Sequence, residues 1–179
     1  EAMTGTADHD MVQAVASAVA GDEVAFARIV NAYHGELHRI CVFVCRDAAV
    51  AEEAVQAAWL IAWRKLGSVR EPDRLRPWLV SIAVNQAKDL LRKRRRRAEV
   101  EVLAHASDEP GGRDPAMGVD SMDLEAALER LEPDERALLA MRYVAGFNAT
   151  ELSEALGISP SGTRSRLEKL VTGLRQELT

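Results

Sequence analysis

The sequence predicts an all-α chain built as two small helical domains joined by a flexible acidic linker. Three observations lead there. Apolar residues recur three and four positions apart through most of the length, the period of one helix face. Apolar residues make up 47% of the chain and aromatics only 4%, with runs of Ala, Leu, Val, Glu and Arg that favour helix over strand. Between residues 98 and 121 the periodicity lapses, acids accumulate, and Pro110, Gly111, Gly112 and Pro115 appear. The chain therefore divides into residues 1–97, a linker at 98–121 and residues 122–179.

Residues 11–20 read as a short Ala-rich helix ending near Gly21, and Asp22 is placed to cap the next one. In that second helix Phe26, Val30, Tyr33, Leu37, Ile40 and Val44 form one apolar stripe. After a turn at Arg46-Asp47, a third helix runs from about Ala48 to Leu66, with Val55, Trp59, Ala62 and Leu66 inward and Gly67 as its stop. Residues 67–77 form a polar loop. Pro77 fits the first position of a fourth helix, which carries Leu79, Ala83, Gln86 and Leu90 on one face and ends in an arginine run.

Past the linker, Leu124, Leu128 and Leu131 mark a short helix, and Pro133 starts another with Leu138, Met141 and Val144 inward. Asn148 and Glu151 have the spacing of a capping box. Gly157-Ile158-Ser159 is a tight turn. Ser159 and Pro160 then open a last helix with Leu167, Leu170 and Leu174 inward.

Charge is uneven. The formal net charge is −5, yet residues 64–97 hold twelve Lys/Arg against three Asp/Glu, a net of +9, including six consecutive cations from Arg92 to Arg97. Residues 98–129 hold one against nine, a net of −8. A basic block between acidic ones points to a polyanion more strongly than the total does. No apolar run reaches the ~20 residues of a membrane span, so no membrane insertion is expected. No secretory leader pattern appears, and two cysteines make no disulfide framework, so the expected location is cytoplasmic. Nothing suggests a cofactor. Glu52 and Glu53 are adjacent on a helix and point about 100° apart, a poor arrangement for a catalytic pair. No enzyme activity is expected.

Two surfaces carry a functional reading. The helix, three-residue turn and second helix around Gly157 have the logic of a helix-turn-helix, whose second helix meets base edges and phosphates with its first turns. Ser159, Ser161, Arg164, Ser165, Arg166 and Lys169 are placed for this; the same pattern also fits a helical hairpin with a solvated basic face. On the fourth helix, Trp78, Ser81, Asn85, Lys88 and Arg92 share one stripe. An aromatic, an amide and cations together suit single-stranded nucleic acid, while Trp78 packed in a core beside a solvated face would give the same stripe.

The segments AEEAVQAAWLIAWRKL and RPWLVSIAVNQAKDLLRKRRRR resemble region 2, and LERLEPDERALLAMRYVAGFNATELSEALGISPSGTRSRLEKL resembles region 4, of bacterial extracytoplasmic function (group 4) sigma factors of the sigma-70 family. The order and spacing of these segments cover nearly the whole chain. The resemblance implies an alternative-sigma transcription initiation factor with two partners, core RNA polymerase (its β′ clamp and β flap) and promoter DNA, and allows for an anti-sigma factor. It places Glu52, Glu53, Gln56, Trp59 and Trp63 on the polymerase. It places Arg70, Arg74, Arg76, Trp78, Ser81, Asn85, Lys88, Arg92 and Lys93 on the melted −10 strand. It places Ser159, Ser161, Thr163, Arg164, Ser165, Arg166 and Lys169 on the −35 duplex. The rival readings are a stand-alone helix-turn-helix regulator and a helical nucleic-acid-modifying enzyme.

Two departures from the family stand out. Ala57 occupies a position where the family usually has an acid after its Val-Gln pair, and Ser161-Gly162-Thr163 shifts the usual Gly-Thr pair by one. A feature outside the family pattern is the run His34, His38, Cys41 and Cys45 along the second helix. His38, Cys41 and Cys45 are the candidate metal ligands, against the plainer reading of small buried thiols beside surface histidines.

Overall fold

A computed structural model of the chain describes residues 4–104 and 119–178, and among these there are helices and turns and no strand. The expected linker lies largely outside the described residues, at 105–118.

Helix α1 (Thr4–Val19) precedes α2 (Glu23–Cys45). Asp22 caps α2, its Oδ1 accepting the backbone N–H of Val24 at 2.9 Å and of Ala25 at 3.1 Å. Arg46 closes α2 in the left-handed region at φ 56°, and Asp47 caps α3 (Ala48–Lys65) by accepting from Val50 at 3.0 Å. Gly67 is not the left-handed stop expected there. Leu66–Ser68 continue as a 3-10 turn, and Gly67 is absent from the positive-φ residues.

A second 3-10 turn, Pro72–Arg74, feeds directly into α4 (Leu75–Ala104). Pro77 is therefore the third residue of α4 and not the first. It costs nothing there, because the first four N–H groups of a helix lack an intrahelical acceptor anyway. At its other end α4 runs through the arginine run to Ala104, seven residues past the expected boundary. The Arg95–Glu99 pair, i,i+4 at 3.2 Å, continues the helix across that point.

The second group is α5 (Val119–Arg130), α6 (Pro133–Leu139), a π turn over Ala140–Val144, α7 (Ala149–Leu156) and α8 (Pro160–Glu177). The extra residue of the π turn rotates the chain, so Val144, expected inward, is 40% exposed while Ala145 and Phe147 go inward. The capping box at Asn148 and Glu151 forms as expected. Gly157 takes φ 66°, a backbone that favours glycine, and Ser159 caps α8.

The two groups share one core. Leu138, Met141, Phe147 and Leu152 are buried in the same cluster as Ile40, Val44, Leu75 and Leu79. Helix α2 packs on α6 and the π turn, and α4 packs on α6 and α7. Arg136 crosses this junction while only 8% exposed. Its Nε donates to the Val44 carbonyl at 2.7 Å and its other arm to the Leu131 carbonyl. Val44 is the penultimate residue of α2, so its carbonyl has no partner along the helix and takes one from the second group instead.

Candidate polymerase and nucleic-acid interfaces

Three surfaces carry the expected residues. On α3, Glu53, Gln56, Leu60 and Trp63 are exposed at i, i+3, i+7 and i+10 and so share one face. Glu52 lies beside them, accepting from the Gln56 amide at 3.0 Å and standing 3.7 Å from His38 Nε2. Trp59 belongs to a different environment. It is half-buried, its indole N–H donates to His34 Nδ1 at 3.3 Å, and its ring lies T-shaped to Phe26 with centroids 5.9 Å apart. Trp63 is 38% exposed and also meets Phe26, at 4.8 Å. Sequence reasoning missed Leu60, which is 63% exposed and one turn from Gln56. The signal was present in the run AWLIAW, which is apolar on more faces than one core can bury.

The second surface is built by the two 3-10 turns and α4. Ser68, Val69, Arg70, Glu71, Arg74 and Trp78 line a cavity of about 280 Å³. Asn85, Arg92 and Lys93 are exposed along α4, and Arg92 pairs with Asp89 at 3.0 Å. Ser81 is committed internally, donating to the Pro77 carbonyl at 2.8 Å. Lys88 has a side chain only 15% exposed and reaches Asp134 at 2.7 Å. Arg74 pairs with Glu154 and, at 3.5 Å, with Glu71. Arg76 donates twice to Glu36, at 3.2 and 2.5 Å, donates to the Ala145 carbonyl, and lies 5.8 Å from the centre of the Phe147 ring.

The third surface is the start of α8, where Ser161, Arg164, Ser165, Arg166 and Lys169 are exposed. Ser159 is also exposed, but its Oγ serves as the cap, accepting from Gly162 N–H at 3.1 Å. Thr163 departs from expectation. It is 1% exposed and its hydroxyl donates to the Ser159 carbonyl at 3.1 Å, so it stabilises the turn and presents nothing to a base edge. Gly162 has a local reason: a Cβ there would come within 3.1 Å of the capping Ser159 hydroxyl.

The candidate metal residues His38, Cys41 and Cys45 do not converge. Cys41 is fully buried with its thiol toward the Ala83 carbonyl at 3.7 Å, and burial pushes it up to about 12. Burial likewise pushes Cys45 up to about 11. Burial thus favours the protonated thiol over the thiolate that ligates a metal. Among the described residues, no three His, Cys, Asp or Glu side chains gather where they could hold a metal ion. Among the same residues, no helix is long and apolar enough to cross a membrane.

Comparison with known proteins matches residues 29–97 to the family Sigma-70 region 2 and residues 121–170 to Sigma-70, region 4. CarQ, an RNA polymerase sigma factor of Myxococcus xanthus, is 32% identical over 157 residues, covering 86% of this chain and 86% of CarQ. Other relatives carry the designation ECF RNA polymerase sigma factor. The chain belongs to the sigma-70 family, as an extracytoplasmic function sigma factor.

A second relative of this sigma factor is named Probable RNA polymerase sigma factor RfaY, of Xanthomonas campestris pv. campestris, 32% identical over 170 residues. That match covers 90% of this chain but 42% of the relative's length. Among solved structures, the sigma factor RpoE of Bartonella quintana, in complex with the anti-sigma factor NepR, has the same fold. Its TM-score is 0.68 at 24% identity, covering 86% of this chain and 96% of that one. The sigma factor thus works in transcription initiation with RNA polymerase and promoter DNA. The region 2 match starts within α2 and ends within α4, and the region 4 match runs from α5 into α8.

Proposed function

We propose that each of the three surfaces has one partner. Glu52, Glu53, Gln56 and Trp63, joined by Leu60, dock on the β′ clamp of core polymerase, with Trp59 holding that face from beneath. Region 4 sits on the β flap. Arg70, Arg74, Arg76, Trp78, Asn85, Lys88, Arg92 and Lys93 take the −10 element as a melted strand, and the first turns of α8 read the −35 element as duplex through Ser161, Arg164, Ser165, Arg166 and Lys169.

The observation that carries this reading is the cavity of about 280 Å³ between Arg70, Arg74 and Trp78 at the head of a cationic helix. An unstacked base held there would stack on the indole for about 1–3 kcal/mol while the cations of α4 track its backbone. That combination favours a melted strand over duplex. The sigma factor supplies binding and no bond chemistry, needs no cofactor and acts in the cytoplasm. The relative solved with an anti-sigma factor supports an anti-sigma partner here as well.

The test is run-off transcription with core polymerase over a promoter library. Protein-dependent starts establish the role, and the selected fragments give the two elements. Binding of duplex DNA with no recruitment of core polymerase would refute it. Replacing Arg94 to Arg97 by Ala should flatten the salt dependence of promoter binding by about 0.7–0.9 log units for each phosphate left unneutralised. An unchanged slope removes those cations from the interface.

A further inference from the structure

We propose that His34 is a positioning residue for the polymerase face: its neutral ring holds Trp59 from α2, and protonation of that ring loosens the face and weakens docking on core polymerase. The proposal rests on the assignment of the exposed α3 residues to the β′ clamp.

The contact itself fixes the state of the ring. An indole N–H can only donate. The Trp59 indole nitrogen lies 3.3 Å from His34 Nδ1, so Nδ1 keeps its lone pair and the ring proton sits on Nε2. A second proton would set one N–H against another, and the bond would be lost. Imidazole is the side chain whose charge ordinarily changes between about pH 5 and about pH 8. An amide acceptor in its place would hold the indole throughout that range.

The effect reaches the outer face through one aromatic residue. Phe26 meets both indoles edge to face, with centroids 5.9 Å from Trp59 and 4.8 Å from Trp63. Trp63 in turn shares its face with Glu53, Gln56 and Leu60. Freeing Trp59 therefore removes a support behind Phe26 and Trp63.

The surrounding charges act in the same sense. His38 stacks on His34 with centroids 6.3 Å apart, and its Nε2 is 3.7 Å from Glu52. A charged His38 would hold Glu52 as an ion pair and compete with a clamp cation for it. Among the described side chains on the packed elements, Glu53 of α3 and Asp10 of α1 are exposed. On α2, Glu36 is bound to Arg76 of α4 and Arg39 extends beside Gly35. Arg136 of α6 meets α2 near its far end, at the Val44 carbonyl.

A chain that docks only with His34 neutral has its affinity reduced by the neutral fraction. Between about pH 7.5 and about pH 5.5 that loss should be about 3- to 10-fold, beyond the response of the polymerase itself.

The experiment uses the full chain with isotopically labelled indoles, read by NMR across that range, and core polymerase binding at its two ends. His34→Asn offers an amide oxygen near the place of Nδ1 and does not titrate. His34→Phe keeps the ring and discards the acceptor. The Trp59 N–H signal, identified by its loss in Trp59→Phe, is expected to move with pH in the parent and to stay fixed in His34→Asn. His34→Asn should bind core within about two-fold of the parent at about pH 7.5 and escape the loss at about pH 5.5. His34→Phe should bind weakly at both. A Trp59 signal that stays fixed in the parent overturns the proposal whatever the variants do. So does one shared pH profile of core binding for the parent and His34→Asn. Glu53→Ala with Gln56→Ala separates the two layers. If that pair of changes leaves core binding intact, the polymerase assignment fails and the role of His34 fails with it. If it weakens binding while the parent and His34→Asn share one profile, only the role of His34 is refuted.

Discussion

Replacing Arg136 by Ala tests how the two regions are joined. The guanidinium is 8% exposed and bonds carbonyls on both sides of the junction, Val44 at the end of α2 and Leu131 after α5. A hydrogen bond to a charged donor contributes about 1.5–3 kcal/mol net, and a cation at a helix C-terminus adds roughly 0.3–1 kcal/mol. Against this stands the cost of burial, which also lowers the proton affinity of the guanidinium below that of an ordinary arginine. The balance is a loss of about 2–4 kcal/mol. For a chain of this size each kcal/mol moves the midpoint by about 2–4 °C, so the variant should melt roughly 5–15 °C lower. Differential scanning calorimetry measures this. Arg136→Met keeps the stem and discards both the charge and its desolvation, and should lose less than half as much. An Arg136→Ala midpoint within about 2 °C of the parent, or a Met variant worse than the Ala variant, would refute the reasoning.

The remaining predictions concern titrating groups. Cys41 and Cys45, raised to about 12 and about 11 chiefly by burial, should ignore a disulfide reagent at about pH 8 in the folded chain and release two equivalents on unfolding. Rapid reaction of either thiol in the native protein would contradict their burial. Raised folded values also mean that their contribution to stability is complete below the unfolded thiol value of about 8.5 and fades as pH rises toward the folded values. Asp47 is lowered first by the Val50 backbone hydrogen bond and Asp134 first by that of Lys88, so both behave oppositely. Their stabilisation is present above the unfolded aspartate value of about 3.9 and is lost as pH falls through the folded values. Thermal melts from about pH 6 to about pH 2.5 should show a drop that Asp47→Asn and Asp134→Asn each make shallower; identical profiles for all three proteins would count against these two carboxylates.

The parts of this molecule that were legible in the sequence are those decided locally. Asp22, Asn148, Gly157 and Ser159 end or begin helices through contacts two to four residues away, and spacing alone places each of them. What escaped was decided at a distance or by backbone geometry without a residue signature. The π turn that exposes Val144 has no distinctive composition. Trp59 reads as a polymerase-facing residue because its hydrogen bond to His34 spans 25 positions and leaves no local mark. Thr163 sits in a run of accessible polar residues, yet it is buried and its hydroxyl bonds back to Ser159 across the first turn of α8. The fourth helix outruns its expected end because the first acid after the cations pairs back onto them.

The basic block raises the harder question of how one set of cations can serve both an internal partner and an external one. Charge alone does not separate them, since a carboxylate and a phosphate each offer anionic oxygens to the same guanidinium. Density does. Region 4 offers its carboxylates at three places, Glu132, Asp134 and Glu154, and each releases little bound salt when paired. A nucleic-acid strand offers a charge at every nucleotide and sheds condensed counterions with each cation it meets. The internal pairs order the cations, and on the proposed −10 reading they would be too sparse to hold them against a strand lying along α4. Arg96 and Arg97 lie exposed at the far end of that run, beyond the cations that region 4 pairs, so on the proposed −10 reading they would be open to a phosphate backbone from the outset.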